Sequence, residues 1–244
     1  PPPEAARSRL AASFVALGAR GPIEPILGTM TPDQYCQQRA AGSGSSFYYS
    51  FLFLPDEQRR AITALYAFCR EVDDVVDECA DPNLALVKLG WWREEISALY
   101  RGAPRHPVGR ALAPHVERLA LSEAHFAEII EGMRMDLTLN RYPDFASLRR
   151  YCHRVAGVVG RISAEIFGYQ DPGTLRYADE LGLAFQLTNI IRDVGEDARR
   201  NRIYLPADEL VRFSVSAEDI LRARHSEPFA HLLRFQVERA LDHY

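Results

Sequence analysis

The sequence lacks the features that would assign it at once to several common classes of protein. Its 244 residues hold four cysteines without a CxxC pair, so neither a zinc cluster nor a disulfide framework is indicated, and free thiols of a reducing compartment are expected. No apolar run reaches the roughly 18 residues that a membrane-spanning helix needs. A net charge of −4 indicates no nucleic-acid partner. What remains is 47% apolar and 25% charged residues, which is typical of a globular protein.

Residues 1–29 differ from the rest of the chain, because Pro, Gly and Ala dominate them. They lack the apolar core and cleavage site of a signal peptide. We predict a flexible N-terminal extension over 1–29 and one all-α domain over 30–244. The expected location is the cytoplasm, with peripheral contact at the inner membrane as an option.

Helix start signals recur from Met30 onward, and the segments between them carry apolar residues at i, i+3 and i+4. The signals are Thr31-Pro32-Asp33, Pro55-Asp56-Glu57, Asp81-Pro82, Ser122-Glu123, Asp144, Asp171-Pro172 and Ser216-Ala217-Glu218. The aromatic stretch 45–55 could pass for a strand. It would have no partner strand among so many helices, so a helical or irregular conformation is predicted there, within an all-α fold.

The helix predicted over 56–80 carries a line of polar residues beside its apolar stripe. At 100° per residue, Tyr66, Arg70, Asp73 and Asp77 share an arc of about 60° at the edge of that stripe. One interpretation is a solvated face with an Arg70–Asp74 ion pair worth a few tenths of a kcal/mol. The other is half of a metal site.

A second such line occupies the helix predicted over 175–197. Its members lie within about 80° of arc and are Gly182, Gln186, Asn189, Asp193 and Asp197. Most of the remaining surface is apolar, so we predict a helix buried nearly all round, whose polar line faces an internal cavity. Buried carboxylates that repel one another need compensating cations.

Two DxxxD lines that face one cavity would suit Mg²⁺, which prefers oxygen ligands and commonly bridges carboxylates to substrate phosphates. The alternative is two unrelated acidic faces. Downstream lie Arg199, Arg200 and Arg202. They form either a solvated basic loop or a lid whose guanidinium groups close on phosphate oxygens.

Small residues form a stripe along one side of the segment 151–169, where His153, Gly157, Gly160, Ala164 and Gly168 follow 4, 3, 4, 4 spacing. Glycine in a helix costs about 1 kcal/mol relative to alanine, so Gly157 and Gly160 need a reason. Either a neighbouring helix packs closely, or a slender ligand needs the room. Tyr151 precedes the stripe; a tyrosine packed at the rim of the site is favoured over one that presents its hydroxyl to a ligand.

Five segments together resemble the squalene/phytoene synthase family of trans-isoprenyl diphosphate synthases. They are SSFYYSFLFLP (45–55), ALYAFCREVDDVVDE (64–78), GMRMDL (132–137), YCHRVAGVVG (151–160) and LGLAFQLTNIIRDVGEDARRNRIYLP (181–206). The resemblance implies an all-α fold around a central apolar cavity, with Mg²⁺ between the acidic motifs.

The resemblance also implies roles for individual residues. The implied metal ligands are Asp73, Asp77, Asn189, Asp193 and Asp197. Those implied to line the substrate or diphosphate sites are Ser46, Phe47, Tyr66, Arg70, Gln186, Arg202 and Tyr204. Tyr151 matches the family tyrosine proposed to assist ionisation or proton removal.

The implied reaction is the Mg²⁺-dependent head-to-head condensation of two farnesyl diphosphates to presqualene diphosphate, with release of diphosphate. The amino-acid sequences of the motifs most resemble those of bacterial presqualene diphosphate synthases of hopanoid biosynthesis. Squalene, phytoene or dehydrosqualene synthase is the close alternative. No Gly-rich dinucleotide loop is present, and NADPH is not expected. Family members usually continue beyond the equivalent of Tyr244, so a truncated C-terminus is an expectation as well.

A different class of function also fits a helical protein with an apolar cavity. A non-catalytic assembly protein or an isoprenoid-binding module would not need its acidic motifs, yet both are intact here. The enzyme interpretation is therefore preferred, with farnesyl diphosphate as the substrate and downstream isoprenoid enzymes as potential partners.

Overall fold

The computed structural model of the protein describes residues 30–42 and 46–244, and these ranges are built from helices and their connections, without a strand. The helices are α1 (Pro32–Gly42), α2 (Ser46–Phe51), α3 (Asp56–Glu78), α4 (Pro82–Tyr100), α5 (Pro107–Arg118), α6 (Glu123–Thr138), α7 (Phe145–Cys152), α8 (Val158–Phe167), α9 (Gly173–Arg199), α10 (Ala207–Arg212), α11 (Ala217–Leu221) and α12 (Glu227–His243). The predicted all-α class is confirmed. The extension predicted over 1–29 lies outside the described residues.

Local capping explains why several helices begin where the start signals predict. The Asp81 side chain accepts a hydrogen bond from the backbone N–H of Asn83 at the start of α4, and Asp144 accepts one from Ser147 at the start of α7. At α11, Ser216 and Asp219 form a reciprocal capping box. These side chains satisfy backbone donors that have no partner within the helix.

The aromatic stretch 45–55 is helical over Ser46–Phe51, after which the chain turns into α3. The predicted apolar stripe of α3 is buried at Ile62, Leu65, Val72 and Val76. The cysteines are unpaired, as expected. Among the described residues, no helix is both long and apolar enough to cross a membrane.

Buried side chains form two clusters, and the two acidic motifs belong to different ones. The first cluster includes the apolar stripe of α3, and the second includes Leu183, Leu187 and Ile190 of α9. Val155 packs against both clusters. The helices that carry the two motifs therefore contribute to two neighbouring clusters.

The small-residue stripe serves close helix packing. A five-residue π-helical turn (His153–Gly157) joins α7 to α8. A Cβ atom added at Gly160 would lie 2.5 Å from the Ala178 carbonyl oxygen of α9. At Gly182 of α9, the added atom would lie 2.7 Å from the Ala156 carbonyl oxygen. Backbones in such contact leave no space for a side chain, which decides between the two alternatives for the stripe.

Two predictions about these segments are wrong. Gly182 does not share a cavity-facing line with Gln186 and Asn189, because its backbone packs against the π-helical turn. Gly168 does not continue the helical stripe; it ends α8 with a φ of +78°, which glycine adopts readily.

The prediction that α9 is buried nearly all round is also wrong. Phe185 is 41% exposed, and Thr188, Arg192 and Glu196 are exposed too. These residues recur at intervals of three or four, so they share one side of the helix. Among the described residues, the end of α12 reaches this side through Tyr244, whose ring contacts Phe185 at 5.7 Å.

We expect Gly182→Ala to destabilise the protein, because the new methyl group meets backbone atoms that cannot rotate away. Gly195→Ala is the matched control on the same helix: a Cβ there has open space and gains the helix propensity of alanine, about 0.5–1 kcal/mol. Urea unfolding should give a lower midpoint for Gly182→Ala and an equal or higher one for Gly195→Ala. Equal midpoints for the two variants would contradict the close packing of α9 on the π-helical turn.

Candidate active site

The first acidic motif lies on α3, where an arginine of the same helix forms ion pairs with two of its carboxylates. Arg70 donates from Nη1 to Asp73 and from Nη2 to Asp74, each at 2.7 Å. The Arg70–Asp74 pair predicted from the i, i+4 spacing is thus present, and Asp73 shares the same guanidinium. Arg39 of α1 adds ion pairs to Glu71 and Asp74. The Asp74 side chain keeps 11% of its accessible surface, against 39% for Asp73 and 38% for Asp77, so Asp73 and Asp77 are the more accessible to a ligand.

Asp73 carries a charge that the folded protein stabilises poorly. Burial, followed by the nearby Asp77 carboxylate, raises the pKa of Asp73 from its usual value near 4 to about 6, although Arg70 acts in the opposite direction. Its side chain still keeps 39% of its accessible surface. An accessible carboxylate with a raised pKa is a good candidate for binding a cation.

The second motif on α9 also contains a carboxylate whose negative charge is poorly stabilised. Burial and the neighbouring Asp193 carboxylate raise the pKa of Asp197 to about 6. Asp193 differs, because Arg192 donates to both of its oxygens at 2.6 and 2.7 Å and lowers its pKa. Gln186 and Asn189 are half-buried on the same line of the helix. Oxygen donors are thus arranged along about three turns of α9.

An ion pair joins the two motifs. Arg200 donates from Nη1 to Asp77 Oδ1 at 2.8 Å, and Arg202 Nη1 lies 3.8 Å from the same oxygen. The chain reverses between them at Asn201, whose φ is +57°. Because Arg200 directly follows α9, the first motif lies close to the C-terminal end of the second.

The segment after α9 is held in place by the segment after α6. Ile203 donates its backbone N–H to the Asn140 carbonyl oxygen at 3.0 Å, and Ala207 donates to that of Tyr142 at 2.8 Å. Arg141 bonds to the Asn201 backbone and side chain. These bonds fix Arg202 and Tyr204 relative to the end of α6.

A partly buried carboxylate, Asp136 of α6, lies next to these residues. It accepts hydrogen bonds from the hydroxyl of Tyr151 at 2.8 Å and from that of Tyr204 at 2.7 Å. Burial raises the pKa of Asp136, while the two tyrosine donors and Arg202 act to lower it. Its charge in turn contributes to the raised pKa values of Asp73 and Asp197. Asp136 is therefore coupled electrostatically to both acidic motifs.

Comparison with known proteins assigns the chain to a protein family. A family model described as squalene/phytoene synthase matches residues 40–244. The chain belongs to the squalene/phytoene synthase family. Members of this family are prenyltransferases, and the chain is one of them.

The relatives of this squalene/phytoene synthase family member differ in the product that they are named for. The chain is 39% identical over 224 residues to a phytoene synthase of Arthrospira platensis, covering 86% of this chain and 72% of that protein. It is 40% identical over 218 residues to a presqualene diphosphate synthase of Rhodopseudomonas palustris, covering 88% and 76%. A crystal structure of a squalene synthase from Alicyclobacillus acidocaldarius superposes with a TM-score of 0.80 at 30% identity, covering 87% and 80%.

The structure brings together most of the site residues that the sequence predicts for this family member. Tyr66 is half-buried on α3, and its ring contacts Phe51 of α2 at 5.8 Å. Tyr151 is not at the rim: it is 4% exposed, with its hydroxyl bound to Asp136. The side chains of Ser46 and Phe47 lie outside the described part of the chain.

Asp136 is the site residue that the motif analysis missed. GMRMDL supports the family resemblance but contains a single acid, so it gives no DxxxD spacing. The signal that could have found it is a carboxylate on a helix otherwise buried at Phe126, Ile129, Ile130 and Met133, since a buried charge requires partners.

The carboxylates of the two acidic motifs fit Mg²⁺ as part of its ligand shell rather than as a complete protein site. Among the described residues, no group of three or more His, Cys, Asp or Glu side chains is close enough to hold one ion. Mg²⁺ is commonly bound by one or two carboxylates, with waters and phosphate oxygens completing its shell. Asp73 and Asp197, whose raised pKa values indicate poorly compensated charge, would each be able to supply one such carboxylate.

Proposed function

We propose that the protein catalyses the Mg²⁺-dependent head-to-head condensation of two farnesyl diphosphates to presqualene diphosphate, with release of diphosphate. The observation that carries this proposal is the Arg200–Asp77 ion pair, which connects the segment after the second acidic motif to the first motif, close to the Asp136–Tyr151–Tyr204 cluster. The 40% identity to a presqualene diphosphate synthase supports the choice of product.

Arginine side chains of this protein would bind the diphosphate leaving group. Arg70, Arg200 and Arg202 surround the first motif, and guanidinium groups match phosphate oxygens in geometry and charge. In this structure, Arg70 and Arg200 instead pair with Asp73 and Asp77. Asp73, Asp77, Asn189, Asp193 and Asp197 would hold Mg²⁺, which supplies positive charge that stabilises the departing diphosphate. The arginines would then be free to exchange their carboxylate partners for phosphate oxygens.

The isoprenoid chains need an apolar surface that excludes water from the allylic cation. Partly buried apolar side chains from three segments pack against the first core cluster while keeping accessible surface: Tyr66, Cys69, Leu137, Val155 and Val159. The face of the Tyr66 ring would also attract a nearby cation.

Tyr151 would take part in the proton removal that closes the cyclopropane ring. The double bond between C2 and C3 of the second substrate attacks C1 of the first, which leaves a tertiary cation at C3 of the second. Loss of a proton from C1 of the first substrate then lets that carbon bond to C3 and close the ring. In the proposed step, the Tyr151 oxygen accepts that proton while its hydroxyl proton moves to Asp136 along the 2.8 Å hydrogen bond. The released diphosphate is the alternative acceptor.

Phytoene synthesis is the second candidate, because relatives of about equal identity carry that name. It would use two C20 diphosphates and give a C40 product. The proposed reaction needs no NADPH. Since presqualene diphosphate carries a long apolar C30 hydrocarbon, we also propose peripheral contact with the inner membrane from the cytoplasmic side, and hopanoid biosynthesis as the setting.

The test is product analysis after incubation of the full chain with farnesyl or geranylgeranyl diphosphate, with Mg²⁺ or EDTA, and with or without NADPH. We expect presqualene diphosphate from farnesyl diphosphate and Mg²⁺, unchanged by NADPH and absent in EDTA. Squalene or a C40 product would contradict the proposed product. Isoprenoid binding of equal affinity with and without Mg²⁺, together with no turnover, would favour a binding module instead.

A further inference from the structure

The buried hydroxyl of Tyr142 has no role in the mechanism proposed above. The residue is 2% exposed, and its hydroxyl has no hydrogen-bond partner among the described residues. Burying a hydroxyl without a partner is unfavourable, and most buried polar side-chain atoms in folded proteins are hydrogen-bonded. A phenylalanine would fill the same space without that cost, so the hydroxyl calls for an explanation.

The surroundings of Tyr142 connect it to the buried carboxylate. Its ring centroid lies 5.5 Å from that of Tyr151 and 5.8 Å from that of Tyr204, and these two rings are 5.2 Å apart. The three rings are thus in mutual contact, and two of their hydroxyls already donate to Asp136. After burial, the Asp136 charge is the largest cause of the raised pKa of Tyr142, so the Asp136 charge acts on Tyr142 as well.

Asp136 has room for another donor. A carboxylate offers about four lone-pair sites on two oxygens, and two tyrosines occupy part of that capacity. In the proposed step, the hydroxyl proton of Tyr151 moves to Asp136, and Tyr151 keeps the proton taken from the substrate, so Tyr151 no longer donates to Asp136. Once Asp136 releases the transferred proton, its partly buried carboxylate is left with one tyrosine donor fewer, which would disfavour its charged form.

We propose that Tyr142 is a positioning residue whose unsatisfied hydroxyl is the reserve hydrogen-bond donor of Asp136, and that it replaces Tyr151 when Tyr151 engages the substrate. This inference rests on the proposed function for its catalytic part. The replacement itself can be tested in the free protein, because Tyr151→Phe removes the same donor without any substrate.

The first experiment is a double-mutant cycle of Tyr142→Phe and Tyr151→Phe, measured by urea unfolding. We expect Tyr142→Phe alone to leave the midpoint unchanged or slightly higher, since it removes an unsatisfied group. In the Tyr151→Phe background, the same change should lower stability, with a coupling equivalent to about a five-fold change in the unfolding equilibrium.

The control pair is Tyr100→Phe with Tyr151→Phe. Tyr100 packs against the other core cluster and donates to the Leu121 carbonyl oxygen at 2.7 Å. Tyr100→Phe should lower the unfolding midpoint by itself, and its effect should add to that of Tyr151→Phe. If the Tyr142–Tyr151 cycle is additive as well, the reserve-donor proposal is overturned.

The second experiment measures steady-state release of diphosphate from farnesyl diphosphate. We expect Tyr142→Phe to lower kcat about ten-fold with KM changed less than about two-fold, because the lost donor matters only once Tyr151 has given up its hydroxyl proton. Tyr100→Phe should leave both constants near their original values. An active enzyme with unchanged kcat in Tyr142→Phe overturns the proposal. A wild-type protein that releases no diphosphate overturns the proposed function alone, since the unfolding cycle still decides the question of the reserve donor.

Discussion

Asp73→Asn should lower the rate of diphosphate release from farnesyl diphosphate by about a thousand-fold, without unfolding the protein. The carboxylate is a proposed Mg²⁺ ligand and lies 2.7 Å from Arg70, so its charge serves both the metal and the placement of the guanidinium. Losses of 10²–10³ in kcat are typical when one group that stabilises developing charge is removed. The measurement is a coupled assay for released diphosphate at saturating Mg²⁺.

Stability should move in the opposite direction from activity in this variant. Burial and Asp77 raise the pKa of Asp73 to about 6, which means that folding disfavours the ionised carboxylate. The neutral amide should therefore leave the thermal midpoint in EDTA unchanged or higher at pH 7.5.

Asp56→Asn is the matched control, because it makes the same chemical change on the same helix. Asp56 begins α3, its side chain is 76% exposed, and its ion pair is with Arg59. We expect near-normal turnover from this variant. A comparable loss in both variants, or full turnover in Asp73→Asn, would rule out the first motif as the site of metal and diphosphate binding.

Local sequence patterns predicted the elements of this site because their causes are local. Asp81, Asp144 and Ser216 cap the helices that they precede, and the 100° rotation per residue places Asp73 beside Asp77 on any regular helix. The Arg70–Asp74 pair follows from the same geometry.

Features that depend on distant segments could not be obtained in this way. Asp136 gains its role from Tyr151 and Tyr204, which lie 15 and 68 positions away in the chain. The Arg200–Asp77 pair spans 123 positions. Periodicity also misjudged α9, because it records which faces are apolar but not which neighbouring segment covers each of them; Phe185 is apolar and exposed.

Asp136→Asn is the second change for which we expect a large effect. The amide preserves the shape of the side chain but removes the charge that both tyrosine hydroxyls contact. Tyr151 would lose the acceptor for its proton, and the altered hydrogen bonding would no longer fix its hydroxyl. We expect kcat to fall by at least about 100-fold, the lower end of the effect of a general acid or base.

The same variant should be at least as stable as the original protein. A charge that is partly withdrawn from water, as in Asp136, costs free energy that a neutral group of the same size does not. Because the folded-state pKa of Asp136 is raised, ionisation opposes folding. The stability of the original protein should therefore fall relative to Asp136→Asn as the pH rises above about 4, the unfolded-state pKa. Thermal midpoints of both proteins in EDTA between pH 5 and 8 give this difference directly.

Glu95→Gln separates a catalytic carboxylate from a structural one. Glu95 is fully buried and accepts the backbone N–H groups of Arg105 and His106 at 2.7 Å each, so its charge holds the loop before α5. There the amide replaces charge-assisted hydrogen bonds by weaker neutral ones, and we expect a lower thermal midpoint with normal kcat. Asp136→Asn should show the reverse pattern. If Asp136→Asn instead lost stability and kept its turnover, Asp136 would be an anchor of the fold like Glu95, and the proton relay through Tyr151 would have to be abandoned.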